Sequence, residues 1–215
     1  MTTTNTSSPT LGEEIANGVS HGVGALTALF FMPVLIASSM RSGSTTLIVS
    51  VTIFTIAAFI LYLTSTLYHC LPRNRSKTVF RILDHSAIYI LIAATYTPFM
   101  IGVLGGVWGW TLFGAVWTMA ILGVVLKSVC RTTPAWLSTG LYVFMGWIAL
   151  FVAKPLFTAL PYQGAFWLIA GGVAYTFGVI FFVLDEKVRY THFVWHIFVM
   201  LGTACHYVSI VSLLK

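Results

Sequence analysis

Seven apolar stretches, each near the roughly 20 residues a helix needs to cross a hydrocarbon layer, fill this chain with only short connections between them. They lie near Gly22–Met40, Leu47–His69, Arg81–Gly102, Gly109–Lys127, Pro134–Ala153, Gly164–Leu184 and His192–Leu213. Long continuous apolar runs favour helices over barrel strands, because a helix satisfies its own backbone groups in lipid. Charged residues make up 7% of the 215, whereas a soluble domain carries about a quarter. That is too little charge to cover a water-facing surface. The expected fold is all-α, an integral membrane bundle of seven transmembrane helices over residues 21–215. A polar segment, residues 1–20, precedes it, with a short interfacial helix from Leu11 to Ser20.

Charge sets the expected orientation. Arg73, Arg75, Lys77 and Arg81 follow the second stretch, Lys127 and Arg131 the fourth, and Lys187 and Arg189 the sixth. The opposite side holds Arg41, Lys154 and Lys215. The positive-inside rule then puts the N-terminus in the cytoplasm and the C-terminus outside. The net charge of +6 does not imply nucleic acid, because the basic residues form no run and sit between apolar segments as membrane anchors. Met1 to Pro9 has no Lys or Arg, so no cleavable signal is expected and the first stretch is read as a retained anchor. Cys70, Cys130 and Cys205 form no CxxC and imply no disulfide framework. Gly18 with Gly22, and Ser20 with Gly24, are small-xxx-small pairs expected to let helices approach closely.

Ionisable groups inside a membrane segment are costly and so mark candidate sites. His69, Asp84, His192 and His196 fall at one depth, toward the expected cytoplasmic face. His192 and His196 are four apart, which puts both rings on one face of a helix. His69 offers a third imidazole from a facing helix. Three nitrogen ligands with one open position describe a catalytic zinc site, although imidazole also suits copper or nickel. The plainer alternative is a set of buried histidines that only hydrogen-bond within the bundle. The pattern is not HExxH, since Phe193 follows His192. A base must therefore come from another helix, and Asp84 is the candidate; its plain role is an ion pair with Arg81 or a charge at a helix N-terminus. Ser65, one turn before His69, either orients a ligand or water or bonds its own i−4 carbonyl. Thr95 is on nearly the same face as Asp84. His85 points away, and His206 lies about 15 Å beyond His196 along the helix, too far for the same ion.

Three motifs resemble those of the hemolysin III proteins, the bacterial branch of the progestin and adipoQ receptor family. Glu14-Ile-Ala-Asn17-Gly-Val-Ser-His21 is similar to its E-x-x-N-x-x-x-H. Ser65-Thr-Leu-Tyr-His69 followed by Asp84 resembles its S-x-x-x-H…D, and His192-Phe-Val-Trp-His196 its H-x-x-x-H. The similarity runs from about residue 11 to the C-terminus. It implies seven helices with the N-terminus inside, Zn2+ held by His69, His192 and His196, and Asp84 holding or activating a water with Ser65 nearby. A related branch is credited with hydrolysing lipid amides. The first expectation is thus an intramembrane zinc hydrolase of lipid amides or esters, linked to membrane lipid homeostasis in the bacterial inner membrane, with a membrane lipid as substrate. The alternatives are a non-enzymatic sensor or regulator with structural zinc, and a cytolytic protein, as the family name implies.

Overall fold

A computed structural model describes residues 9–129 and 134–214. The expectations attached to residues 1–8, Cys130, Arg131 and Lys215 lie outside the described residues. Every described element is helical, and seven helices are long and apolar enough to cross a membrane.

Helix α1 (Leu11–Met40) starts at a capping box. The Thr10 hydroxyl accepts a hydrogen bond from the Glu13 amide at 3.3 Å, and the Glu13 carboxylate accepts one from the Thr10 amide at 2.8 Å. Glu13 and Glu14 sit in the first turn, where the helix dipole favours negative charge. The helix then runs unbroken to Met40, so Leu11–Ser20 continues directly into the first span. Two of its small residues serve close packing: a Cβ on Gly18 would lie 3.0 Å from Cys70 Sγ, and one on Gly24 3.1 Å from Tyr62, whereas one on Gly22 would meet Thr66 at an ordinary 3.6 Å.

Helix α2 spans Thr45–Cys70 behind an Ser44 cap. Helix α3 (Arg75–Thr97) starts at Asn74, whose side chain accepts from the Lys77 amide at 3.0 Å. This cap starts the helix at Arg75, several residues ahead of the apolar boundary at Arg81, and so brings Arg75 and Lys77 onto it. Pro98 then opens a π-helical turn, Pro98–Leu104, which ends at Gly105 and Gly106 with positive φ. Helix α4 (Gly106–Val129) folds back so closely that a Cβ on Gly109 would collide with the Met100 carbonyl oxygen.

The fifth span is broken into α5 (Ala135–Trp147), a 3₁₀ segment (Ile148–Val152) and α6 (Ala153–Ala159). Helices α7 (Tyr162–Val183) and α8 (Thr191–Leu213) complete the bundle, joined by a connection in which Tyr190 is left-handed at φ 61°. Neighbouring helices pack in chain order through α4, and α8 closes back on α1. The span formed by α3 and the π-helical turn is the central element, with 61% of its most apolar window buried, against 17% for α7. The core runs through Val51, Phe54 and Leu61 of α2 and Tyr89 and Leu91 of α3. Apolar side chains such as Phe30, Ile121 and Phe177 point outward, as a lipid-facing surface requires.

Candidate metal centre

The last turn of α2, the first turns of α8 and the first three turns of α1 meet at one end of the bundle. There the rings of His69, His192 and His196 form a compact triangle. Ring centroids are 4.7 Å apart for His192 and His196, 5.3 Å for His69 and His192, and 5.2 Å for His69 and His196. One nitrogen from each lies within 4.8 Å of the others, close enough to hold a metal ion.

The hydrogen bonds decide which nitrogens are free. His69 donates through Nδ1 to the Glu14 carboxylate at 2.8 Å. His192 donates through Nδ1 to Asp185 at 3.0 Å. His196 Nδ1 lies 3.3 Å from the Asn17 carbonyl and 3.1 Å from Ser20 Oγ. A carbonyl and a carboxylate can only accept, and the Ser20 hydroxyl itself donates to Asn17 at 2.8 Å. Each Nδ1 therefore carries a proton, and in a neutral ring each Nε2 keeps its lone pair free for a metal ion. His69 Nε2 is buried with no partner at all. Three inward lone pairs with no donor among them fit a cation. Their outer Nδ1–H groups are fixed by carboxylate or backbone oxygen, the arrangement that orients metal-ligating imidazoles.

Asp84 stands outside this trio. It is buried beside Ser65 and His192 and lines the same cavity as His192 and His196. Among the described residues no ion pair joins it to Arg81. Ser65 is fully buried, and its hydroxyl does not bond the Leu61 carbonyl, unlike Thr66, which bonds Tyr62 at 2.8 Å. His85 is turned to the Arg81 carbonyl at 2.6 Å and takes no part in the trio. Cys70 is exposed. His21 stacks on His196 with centroids 3.6 Å apart, and neither of its nitrogens has a partner.

From the sequence, Glu14 and His21 are expected to fasten the N-terminal segment over the site or to serve as a simple interfacial anchor; the partners of Glu14, and the parts played by Glu13 and Asp185, are seen only in the structure. Glu14 joins His69 to Lys77 of α3, which donates to its other oxygen at 2.9 Å. Glu13 accepts the Tyr190 amide at 2.9 Å, tying the start of α8 to α1. The signal for the α1 group was present, since Glu14, Asn17 and His21 share one helical face. Asp185 carried no such signal, because only the turn between α7 and α8 brings it to His192. Asp185→Ala is expected to weaken metal binding by about 10- to 100-fold. The fold should survive, since this side chain is 28% exposed in a connection. Titration against a chelator measures the change, and an unaltered affinity would remove Asp185 from the site.

A cavity of about 230 Å³ leads from Asp84, His192 and His196 into the bundle between α3, α5, α7 and α8. Its walls are mostly apolar, and its far end reaches Thr95, Tyr175 and His206. Trp147 at the end of α5, Leu150 in the 3₁₀ segment, and Ile169 and Val173 of α7 line it and are also exposed on the outer surface. The cavity therefore opens sideways between these helices, toward the hydrocarbon.

These features define an all-helical, multi-pass membrane protein with a three-histidine site at one end of its bundle. The family model described as haemolysin-III related matches residues 10–207, and the chain belongs to that family. It is 42% identical over 192 residues to "Hemolysin-3" of Bacillus cereus, covering 89% of this chain and 87% of that one. It is also 42% identical to "Hemolysin-3 homolog" of Bacillus subtilis (strain 168), covering 91% of each. A human relative, "Monocyte to macrophage differentiation factor", is 27% identical over 94% of this chain and 84% of its own. No solved structure matches the chain.

Proposed function

We propose that the site holds zinc and hydrolyses an amide or ester of a membrane lipid, as part of membrane lipid homeostasis. The observation that carries this reading is the meeting of three inward Nε2 lone pairs, a buried carboxylic acid and an apolar cavity open to the hydrocarbon. Three imidazoles with room for a further ligand suit zinc in its catalytic form better than a closed structural site. When bound, zinc supplies a Lewis acid that polarises the carbonyl and makes water a nucleophile near neutral pH.

The remaining work falls to this chain's own side chains. His69, His192 and His196 would hold the ion, with their rings oriented by Glu14, Asp185, Asn17 and Ser20. Asp84 takes a proton from the attacking water as its oxygen bonds to the carbonyl carbon. It then gives that proton to the leaving nitrogen or oxygen as the old bond breaks. Ser65 steadies the Asp84 carboxyl. The apolar cavity walls hold the acyl chain and keep bulk water from the reacting carbonyl. The products are a free fatty acid and an amine or alcohol.

Purified protein should release fatty acid from a short-chain ceramide, lose that activity to a zinc chelator and regain it with added zinc. Absence of zinc-dependent release across lipid amides and esters would leave the regulator with structural zinc as the better reading. A cytolytic role is a second reading, favoured by the names of the two Bacillus relatives.

The charge distribution supports a cytoplasmic site in the inner membrane. Arg73, Arg75, Lys77, Lys187 and Arg189 flank the helix ends that carry the histidines. Reporter fusions at Lys215 and in the segment near Arg75 should report opposite compartments. The same compartment for both would overturn this topology.

A further inference from the structure

The far end of the cavity holds a buried histidine that the proposed hydrolysis does not use. His206 of α8 is 4% exposed and lines the cavity beside Thr95 and Tyr175. Its Nε2 lies 3.3 Å from the Leu168 carbonyl oxygen. A carbonyl only accepts, so Nε2 carries the proton, and in a neutral ring Nδ1 is left as a bare acceptor. That Nδ1 is buried without a partner.

The hydroxyls around it are engaged elsewhere. Thr95 donates to the Leu91 carbonyl at 2.8 Å and Thr203 to the Val199 carbonyl at 3.0 Å. The Tyr175 hydroxyl lies 2.8 Å from Thr203 Oγ1, whose proton is already committed, so Tyr175 is the donor there. Among the described cavity-lining residues, Asp84 is the only carboxylate and none is Lys or Arg. The far end thus holds no carboxylate, Lys or Arg and is short of one hydrogen-bond donor. An unmet buried acceptor costs about 1–3 kcal/mol, so an occupant bearing a neutral donor is favoured over a plain hydrocarbon.

We infer that this end of the cavity is a subsite for a hydroxyl group carried part-way along a lipid acyl chain, accepted by His206 Nδ1. Ten residues separate His196 from His206, about 15 Å of helix axis and the reach of roughly a dozen extended methylenes. A chain with its carbonyl at the three histidines would bring a hydroxyl near its twelfth carbon to His206. The inference rests on the reading of the cavity as the place of the acyl chain, and it narrows the lipid class to mid-chain hydroxylated lipids.

Free acids cannot be hydrolysed, so binding of such acids tests the subsite apart from the reaction. The full-length protein as purified, in detergent, is loaded with a fluorescent fatty acid and titrated with octadecanoic, 3-hydroxyoctadecanoic or 12-hydroxyoctadecanoic acid. The 12-hydroxy acid should displace the probe at concentrations roughly three- to tenfold lower than octadecanoic acid, the worth of one buried hydrogen bond. The 3-hydroxy isomer should show no such gain. His206→Leu should lose the preference for the 12-hydroxy acid over octadecanoic acid, whatever its affinity for the two. If that variant does not fold, the wild-type comparison of the three acids decides alone. Equal displacement by plain and 12-hydroxy acids would mean that a water serves Nδ1, and it would overturn the inference. So would a preference that persists in His206→Leu, or failure of all three acids to displace the probe. A positive binding result beside absent hydrolysis would keep the subsite and discard the reaction, and the reverse pair of results would do the opposite.

Discussion

Replacing His196 with Ala is expected to empty the protein of zinc. The ring supplies one of three convergent nitrogens, and with it gone only His69 and His192 remain in reach of the ion. Two imidazoles without a third seldom hold zinc, which takes at least three protein ligands in catalytic sites. His69→Ala and His192→Ala should act in the same direction. His85→Ala should keep full zinc, because that ring is turned to the Arg81 carbonyl. His196 is 2% exposed and stacked on His21, so truncation also leaves a void in the packing. His196→Gln fills more of that space and separates loss of the ligand from loss of the fold. Zinc per chain, measured beside helicity, reads the result. Full zinc in a folded His196→Gln protein would rule out the ligand set.

Asp84→Asn should have the opposite signature: zinc kept, turnover lost. The amide has the shape of the carboxyl but cannot take up the water's proton. General base catalysis is typically worth about 10² to 10⁴ in rate, so hydrolysis of a short-chain ceramide should fall by that much. Zinc should stay, because Asp84 lies outside the convergent trio. Loss of zinc instead would make Asp84 a direct ligand and favour a structural ion. Unchanged turnover would preserve the reaction and move the base to another residue.

The spans were legible because length and apolarity alone identify a membrane helix, and all seven apolar stretches correspond to spans. Their ends were less so, because caps rather than hydropathy set them. The helix expected from Leu11 does start there, behind Thr10 and Glu13, but it runs on into the first span without a break, and Asn74 starts α3 several residues before the apolar run. The 3₁₀ break at Ile148–Val152 lies inside an apolar stretch, and its mark in the sequence is Pro155, which cannot donate to the Phe151 carbonyl and so stops a regular helix from running through. At the site, the i, i+4 spacing of His192 and His196 reveals a shared face, and hydropathy puts His69 and Asp84 at the same depth. The groups that aim the rings were harder to read. Asp185 reaches His192 only through a turn that includes a left-handed Tyr190. Glu14 reaches His69 only because α1 starts early enough to lie against the end of α2.

X-ray absorption at the zinc edge of purified wild-type protein tests the central claim most directly. The account predicts about one zinc per chain, bound by three imidazole nitrogens at about 2.0–2.1 Å and one oxygen at a similar distance. Absence of zinc, a sulfur ligand, or fewer than three imidazoles in the spectrum would contradict it.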